Sequence, residues 1–330
     1  MKKCIVTGGA GFIGSNLTEK LVSLGHKVTV IDNLSTGRKS NLKKIINKIK
    51  FVKSDISNLN SLSDNIFRNI DWVFHIAGIA DIVPSIETPV KYYNSNVTGT
   101  LNILEKSRKH KVQKFIYAAS ASCYGIPINF PTNENSEIKP EYPYALSKYL
   151  GEQLVMHWAK IYSMPNISLR FFNVYGPKSR TTGAYGAMFG VFLAQKLKNK
   201  PLTIVGDGKQ TRDFIHVYDL VDAIIKCAQK SKTNRIFNVA SGSETSVNKI
   251  ASIIGGKTVK IPKRPGEPDR SKADIKKIKK EIKWKPKINI DRGINLMMKI
   301  ISDWKDAPVW TPKKIKKATK TWFERLSGKK

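Results

Sequence analysis

The 330 residues predict an α/β protein built on a doubly wound parallel sheet, with a smaller C-terminal lobe. Three observations point there. Short apolar runs alternate with helix-patterned stretches through residues 1–172, as βαβ units require. The first run passes through a glycine-rich turn directly into a helix. The alternation then loosens after Asn173.

The elements follow in order. KCIVTG (3–8) is a strand, and the spacing beyond its glycines gives a helix over 12–24. KVTVID (27–32), IKFVKSD (49–55) and DWVFHIA (71–77) are runs of strand length rich in β-branched and aromatic residues. A helix is expected over 88–109. KFIYAAS (114–120) is a buried strand, yet Ser120 and Ser122 stand at its end. Serine suits the turn that follows a strand, but ligands also bind outside the carboxyl ends of parallel strands. Pro143 suits the first turn of a helix over 143–162, and NISLRFF (166–172) is the next strand.

Beyond it lie a glycine-rich stretch (180–190), a helix VFLAQKLKN (191–199) and a strand PLTIVGDG (201–208). RIFNVAS (235–241) is expected to return to the main sheet. The lysine-rich segment 274–287 reads as an amphipathic helix with a solvated face. Thr311 can cap a tail helix over 311–330 with Pro312 at its first position. Ile315, Trp322, Phe323 and Leu326 would share one side of it, packed on the protein or a second copy; lying on a membrane surface is the alternative. The expected units are therefore 1–172, 173–310 and 311–330.

Composition limits the function. Hydrophobic residues make up 41%, which excludes a disordered chain. No apolar run reaches the roughly 18 residues of a membrane span, and the first residues are too polar and glycine-rich for a signal sequence, so a cytoplasmic location is expected. Cys4, Cys123 and Cys227 are few and far apart, which argues against a disulfide framework or a metal site. The formal charge of +33 would suit a polyanion. It comes mostly from lysines spread along the chain, with no RNA-binding signature, so no nucleic-acid partner is expected.

Gly8, Gly11 and Gly14 in TGGAGFIG lie between a strand and a helix. Their spacing permits a tight turn, close approach of a pyrophosphate to the backbone, and close helix packing. Asp32 ends the second strand at about the spacing, roughly 20 residues, that lets a carboxylate accept ribose hydroxyls. It would repel a 2′-phosphate, so NAD is favoured over NADP. Tyr144 and Lys148 share one face of a helix near its start. An ammonium beside the phenol would favour the phenolate and make Tyr144 a base near neutral pH.

TGGAGFIG, YAASASCYG, YPYALSKYLGE, LRFFNVYG and TRDFIHVYDL together resemble the extended short-chain dehydrogenase/reductase superfamily, and within it the nucleotide-sugar 4-epimerases. The resemblance runs to about residue 300; the last segment has no counterpart. It implies a Rossmann domain and a nucleotide-sugar lobe. It implies a homodimer through helices 88–109 and 143–162. It makes Tyr144 the base, Lys148 its partner and the ligand of the nicotinamide ribose, and Ser120 the hydroxyl that aids proton transfer at O4.

Phe12, Ile13, Asn33, Asp55, Ile56, Ala77, Asn96 and Phe171 would complete the NAD site. Asn173, Arg212, Arg264 and Glu267 would hold the diphosphate and uridine ribose, and Ser122 would touch the sugar. Relatives that dehydrate their sugar resemble this chain but carry acids where Ala121 and Ser122 stand, and decarboxylases tend to keep one. The expectation is therefore epimerisation of UDP-glucose/galactose or the N-acetyl forms; the alternative is a uronic-acid epimerase, decarboxylase or reductase. Ser271 is small where epimerases confined to UDP-glucose and UDP-galactose carry tyrosine, which leaves room for an N-acetyl group.

Overall fold

The computed structural model describes residues 1–179 and 188–328. Most of the glycine-rich stretch expected at 180–190 and the last two residues of the expected tail lie outside these.

The first half alternates strand and helix. In order come β1 (Lys3–Thr7), α1 (Phe12–Ser23), β2 (Lys27–Asp32), β3 (Ile49–Lys53) and β4 (Trp72–His75). Then follow α2 (Ile82–Glu87), α3 (Pro89–Tyr93), a π turn (Asn94–Thr98), α4 (Gly99–Lys109), β5 (Lys114–Ser120), α5 (Pro143–Ile161) and β6 (Asn166–Phe171). The expected helix 88–109 is thus α3 and α4 joined through the π turn, and α2 was not anticipated.

Later elements are β7 (Asn173–Tyr175), α6 (Met188–Leu197), β8 (Leu202–Val205), β9 (Thr211–Arg212), β10 (Phe214–His216) and α7 (Val217–Lys230). β11 (Arg235–Val239), β12 (Thr245–Ser246), α8 (Val247–Ile254), β13 (Thr258–Ile261), α9 (Lys276–Ile282) and α10 (Ile290–Lys299) follow. The chain ends in α11 (Pro312–Ala318) and α12 (Lys320–Leu326).

Seven strands form one parallel sheet in the order β11-β6-β5-β4-β1-β2-β3. The chain builds outward from β1 through β2 and β3, then restarts at β4 on β1's other side. Successive crossovers therefore diverge between β1 and β4 and leave a crevice above their carboxyl ends. Apolar layers cover both faces of the sheet. Three short strand pairs, β7–β10, β9–β12 and β8–β13, with α6, α8 and α10, surround a separate core that includes Phe192, Ile250 and Trp304.

Two helices differ from expectation. Segment 274–287 is helical only over α9, because Lys283 takes φ 56° and buried Trp284 turns into the core. The tail is two short helices, not one. Thr319, buried at the break, donates its hydroxyl to the Ile315 carbonyl, and α12 turns away to lie against α2.

Candidate active site

A cleft of about 870 Å³ opens at the divergence of the sheet. β1 ends in it at Gly8, which has φ 66°; a Cβ there would stand 2.7 Å from the Ala77 Cα after β4. A Cβ at Gly14 would come 2.1 Å from the Gly8 carbonyl oxygen. Only glycine lets the two segments approach so closely, and what results is a wall of bare backbone at the start of α1. Asp32, 7% exposed, lines the far side. Its carboxylate accepts the Ala10 N–H at 2.9 Å and the Leu34 N–H at 2.7 Å, while burial raises its pKa above the usual carboxylate range. A dinucleotide fits here: the glycine cradle leaves bare backbone for phosphates, and the Asp32 carboxylate is held fixed on the far side of the cleft.

Phe12, Ile13, Asn33, Asp55, Ile56, Ala77 and Phe171 also line the cleft. Asn33 donates to the Asp55 carboxylate at 2.9 Å, which ties β2 to the turn after β3. Asn96 is different. It is fully buried in the π turn, outside the lining, and its amide bonds both the Ile79 N–H (2.8 Å) and the Ile79 carbonyl (3.0 Å). It shapes the Gly78–Ile79 loop from behind.

The proposed chemistry gathers at the carboxyl end of β5. Ser120, Tyr144 and Lys148 all line the cleft. Ser122, expected to touch substrate, is not part of the lining; its hydroxyl donates to the Ser120 oxygen at 2.8 Å, and its N–H does so at 3.2 Å. With its oxygen so engaged, Ser120 has its own proton to give, and Tyr144 is within its influence.

The Lys148 ammonium, expected beside Tyr144, lines the same cleft and also meets a second tyrosine. Lys148, 6% exposed, places Nζ 4.4 Å over the Tyr117 ring, and among the described residues no hydrogen bond joins it to Tyr144. Desolvation raises the Tyr144 pKa; Ser120 pulls it down and the Asp81 charge pushes it up. Desolvation lowers that of Lys148 to about 7, against the pull of Glu152. The site thus holds a reluctant phenol and a reluctant ammonium.

The residues expected to hold the diphosphate do not line this cleft. Asn173 on β7 donates to the Asp213 carbonyl at 3.4 Å. Glu267 faces two arginines, at 3.1 Å from Arg264 and 3.9 Å from Arg212. Arg212 and Glu267 line a second, separate cavity of about 290 Å³. Ser271 is tied by its N–H to the Thr211 carbonyl at 3.1 Å. Several neighbours were not foreseen. Asp213, beside Arg212, collects N–H groups of Ser241, Gly242 and Ala273 at 2.8–3.2 Å. Tyr142 stacks with Tyr144 at 6.4 Å, and Ala307, Pro308 and Trp310 line the cleft. The YPY sequence could have flagged Tyr142; nothing in DAPVW marks the others.

A family model described as the NAD dependent epimerase/dehydratase family matches residues 4–240. The chain belongs to that family. It is 33% identical over 302 residues to the UDP-glucose 4-epimerase of Mycolicibacterium smegmatis, covering 88% of this chain and 96% of that one. It is 32% identical over 311 residues to the UDP-N-acetyl-alpha-D-glucosaminuronate decarboxylase of Bacillus cytotoxicus, covering 89% and 95%. The Thermotoga maritima UDP-glucose 4-epimerase structure with UDP-glucose superposes with TM-score 0.86 at 32% identity, covering 91% of this chain and 99% of that one. The Bacillus cereus UDP-glucuronic acid 4-epimerase, solved with UDP-glucuronic acid and NAD, does so with TM-score 0.83 at 29% identity over the same shares.

Proposed function

We propose that this family member is an NAD-dependent 4-epimerase of a UDP-hexose, acting on UDP-glucose and UDP-galactose, on their N-acetyl forms, or on both. One observation carries the choice of reaction. The turn Ala121–Tyr124 that follows Ser120 contains no carboxyl group, so the position from which elimination would be assisted offers only a serine that orients another serine.

Gly8, Gly11 and Gly14 would take the pyrophosphate, Asp32 the adenosine ribose, and Lys148 the nicotinamide ribose. NAD supplies a reversible hydride acceptor at C4 of the sugar. The protein's own residues handle the proton: Tyr144 accepts it from O4 and returns it, and Ser120 steadies the phenolate by donating to it. Arg212, Arg264 and Asn173 would anchor the diphosphate while the sugar presents its other face. Ser271 leaves space for a C2 substituent. The same reading includes a cytoplasmic homodimer. Among the described residues no helix is long and apolar enough to cross a membrane.

Proton NMR tests this directly. The purified protein, with no cofactor added, receives UDP-glucose, UDP-N-acetylglucosamine or UDP-glucuronic acid in separate tubes. The galacto isomer should appear in the first, the second or both. Turnover of the uronic acid alone, or loss of CO2 or water, would reject the proposal.

A further inference from the structure

The chain from Ala307 to Leu326 touches three parts of the molecule: the cleft wall, α2 and the loop that carries Arg264. Its first residues line the cleft, and the Trp310 carbonyl accepts the amide of buried Gln195 at 2.7 Å. Gln195 in turn accepts the Thr203 N–H of β8 at 3.2 Å, so this end is anchored in the small lobe. The other end, α12, lies against α2 beside the large sheet, where Thr321 donates to Glu87 at 3.0 Å. On the same helix Trp322, 5% exposed, donates its indole N–H to the Pro265 carbonyl at 2.6 Å. Its ring lies 5.3 Å from the guanidinium carbon of Arg264. The segment thus bridges both lobes and grips the loop that carries Arg264 and Glu267.

We infer that residues 307–326 form a strap over the substrate end of the cleft, with Trp322 the positioning residue that holds Arg264 ready for the diphosphate. A guanidinium with an aromatic ring on its face and a carboxylate on its edge has lost most of its freedom before any ligand arrives. That ordering would otherwise be paid on binding and would weaken affinity. Neither Trp322 nor Arg264 lines the cleft, so the dinucleotide end should not sense the pair directly.

Because this rests on Arg264 as a diphosphate ligand, the test uses UDP itself, titrated calorimetrically into full-length protein with its NAD content recorded. Trp322→Ala should weaken UDP about tenfold. NAD per chain and kcat at saturating substrate should stay unchanged, so that the loss falls on KM. Trp322→Phe keeps a ring over Arg264 and should fall between, and it carries the test should the alanine variant fold poorly. In the Arg264→Ala background, Trp322→Ala should cost nothing further. Unaltered UDP affinity in both Trp322 variants, or losses that add to those of Arg264→Ala, would overturn the strap alone. Failure of the unaltered protein to bind UDP would overturn the nucleotide-sugar reading and the strap with it.

Discussion

Ser122 lies one hydroxyl behind Ser120, the hydroxyl proposed to aid proton transfer. It gives its proton to Ser120, which is thereby left to donate toward Tyr144. Ser122→Ala should therefore lower kcat several-fold with little change in KM, whereas direct contact with substrate would raise KM. Tyr144→Phe removes the base and should lower kcat by about 10²–10⁴-fold with NAD still bound. Both follow from steady-state kinetics on the sugar that NMR identifies.

Lys148 has a stability signature as well. Its pKa falls from 10.5 to about 7 on burial, so between those values the unfolded chain holds a proton that the folded one does not. The contribution of Lys148 to stability then rises with pH above about 7 and is flat below it, where both states are protonated. In urea unfolding from pH 7 to pH 9, Lys148→Met should flatten that rise; an unchanged slope would contradict the buried, reluctant ammonium. The tyrosine and lysine were legible in the sequence from their spacing on one helical face. The contact of Lys148 with Tyr117 was not, because that ring comes from a distant element, β5.

The element that unites the site is α5. It carries Tyr144 and Lys148 in its first two turns and Glu152 one turn later. Glu152, 1% exposed, pairs with Arg170 of β6 at 2.6 Å, accepts Ser168 at 2.8 Å, and so locks the helix to the sheet. Arg170 also reaches the Tyr124 hydroxyl at 2.8 Å, beyond the Ser120 turn. Removing one partner strands a buried charge, so Glu152→Ala should cost about 3–5 kcal/mol in denaturant unfolding. A loss below about 1 kcal/mol would show the pair to be replaceable by water.

This pair illustrates what a single sequence conceals. The strands of the large sheet declare themselves by apolar runs, and the glycine turn by its spacing. Glu152 and Arg170 look like ordinary charges in GEQ and LRF until the fold brings them together. The π turn that buries Asn96 carries no periodic mark, and the break at Thr319 depends on what α12 meets. Local patterns report local structure; long-range contacts decide the rest.

At the scale of the molecule, charge and apolar surface oppose each other. On α5 and its C-terminal end Leu146, Ile161 and Tyr162 are 36–55% exposed. α5 packs against α4, and these side chains belong to one of the two helices proposed for the dimer. Lys160 stands exposed beside Ile161 on a chain of formal charge +33. Association would bury the apolar groups and bring like charges together. The Debye length is about 8 Å at 0.15 M salt and about 30 Å at 0.01 M, so repulsion spans the interface only when salt is low. Sedimentation velocity should therefore find dimers at 0.15 M salt that partly dissociate at 0.01 M. Ile161→Glu with Tyr162→Glu should leave monomers at both, because each glutamate would be buried without a fixed partner. Dimers that persist in the double variant would move the interface to another face; a monomeric unaltered protein would reject the homodimer.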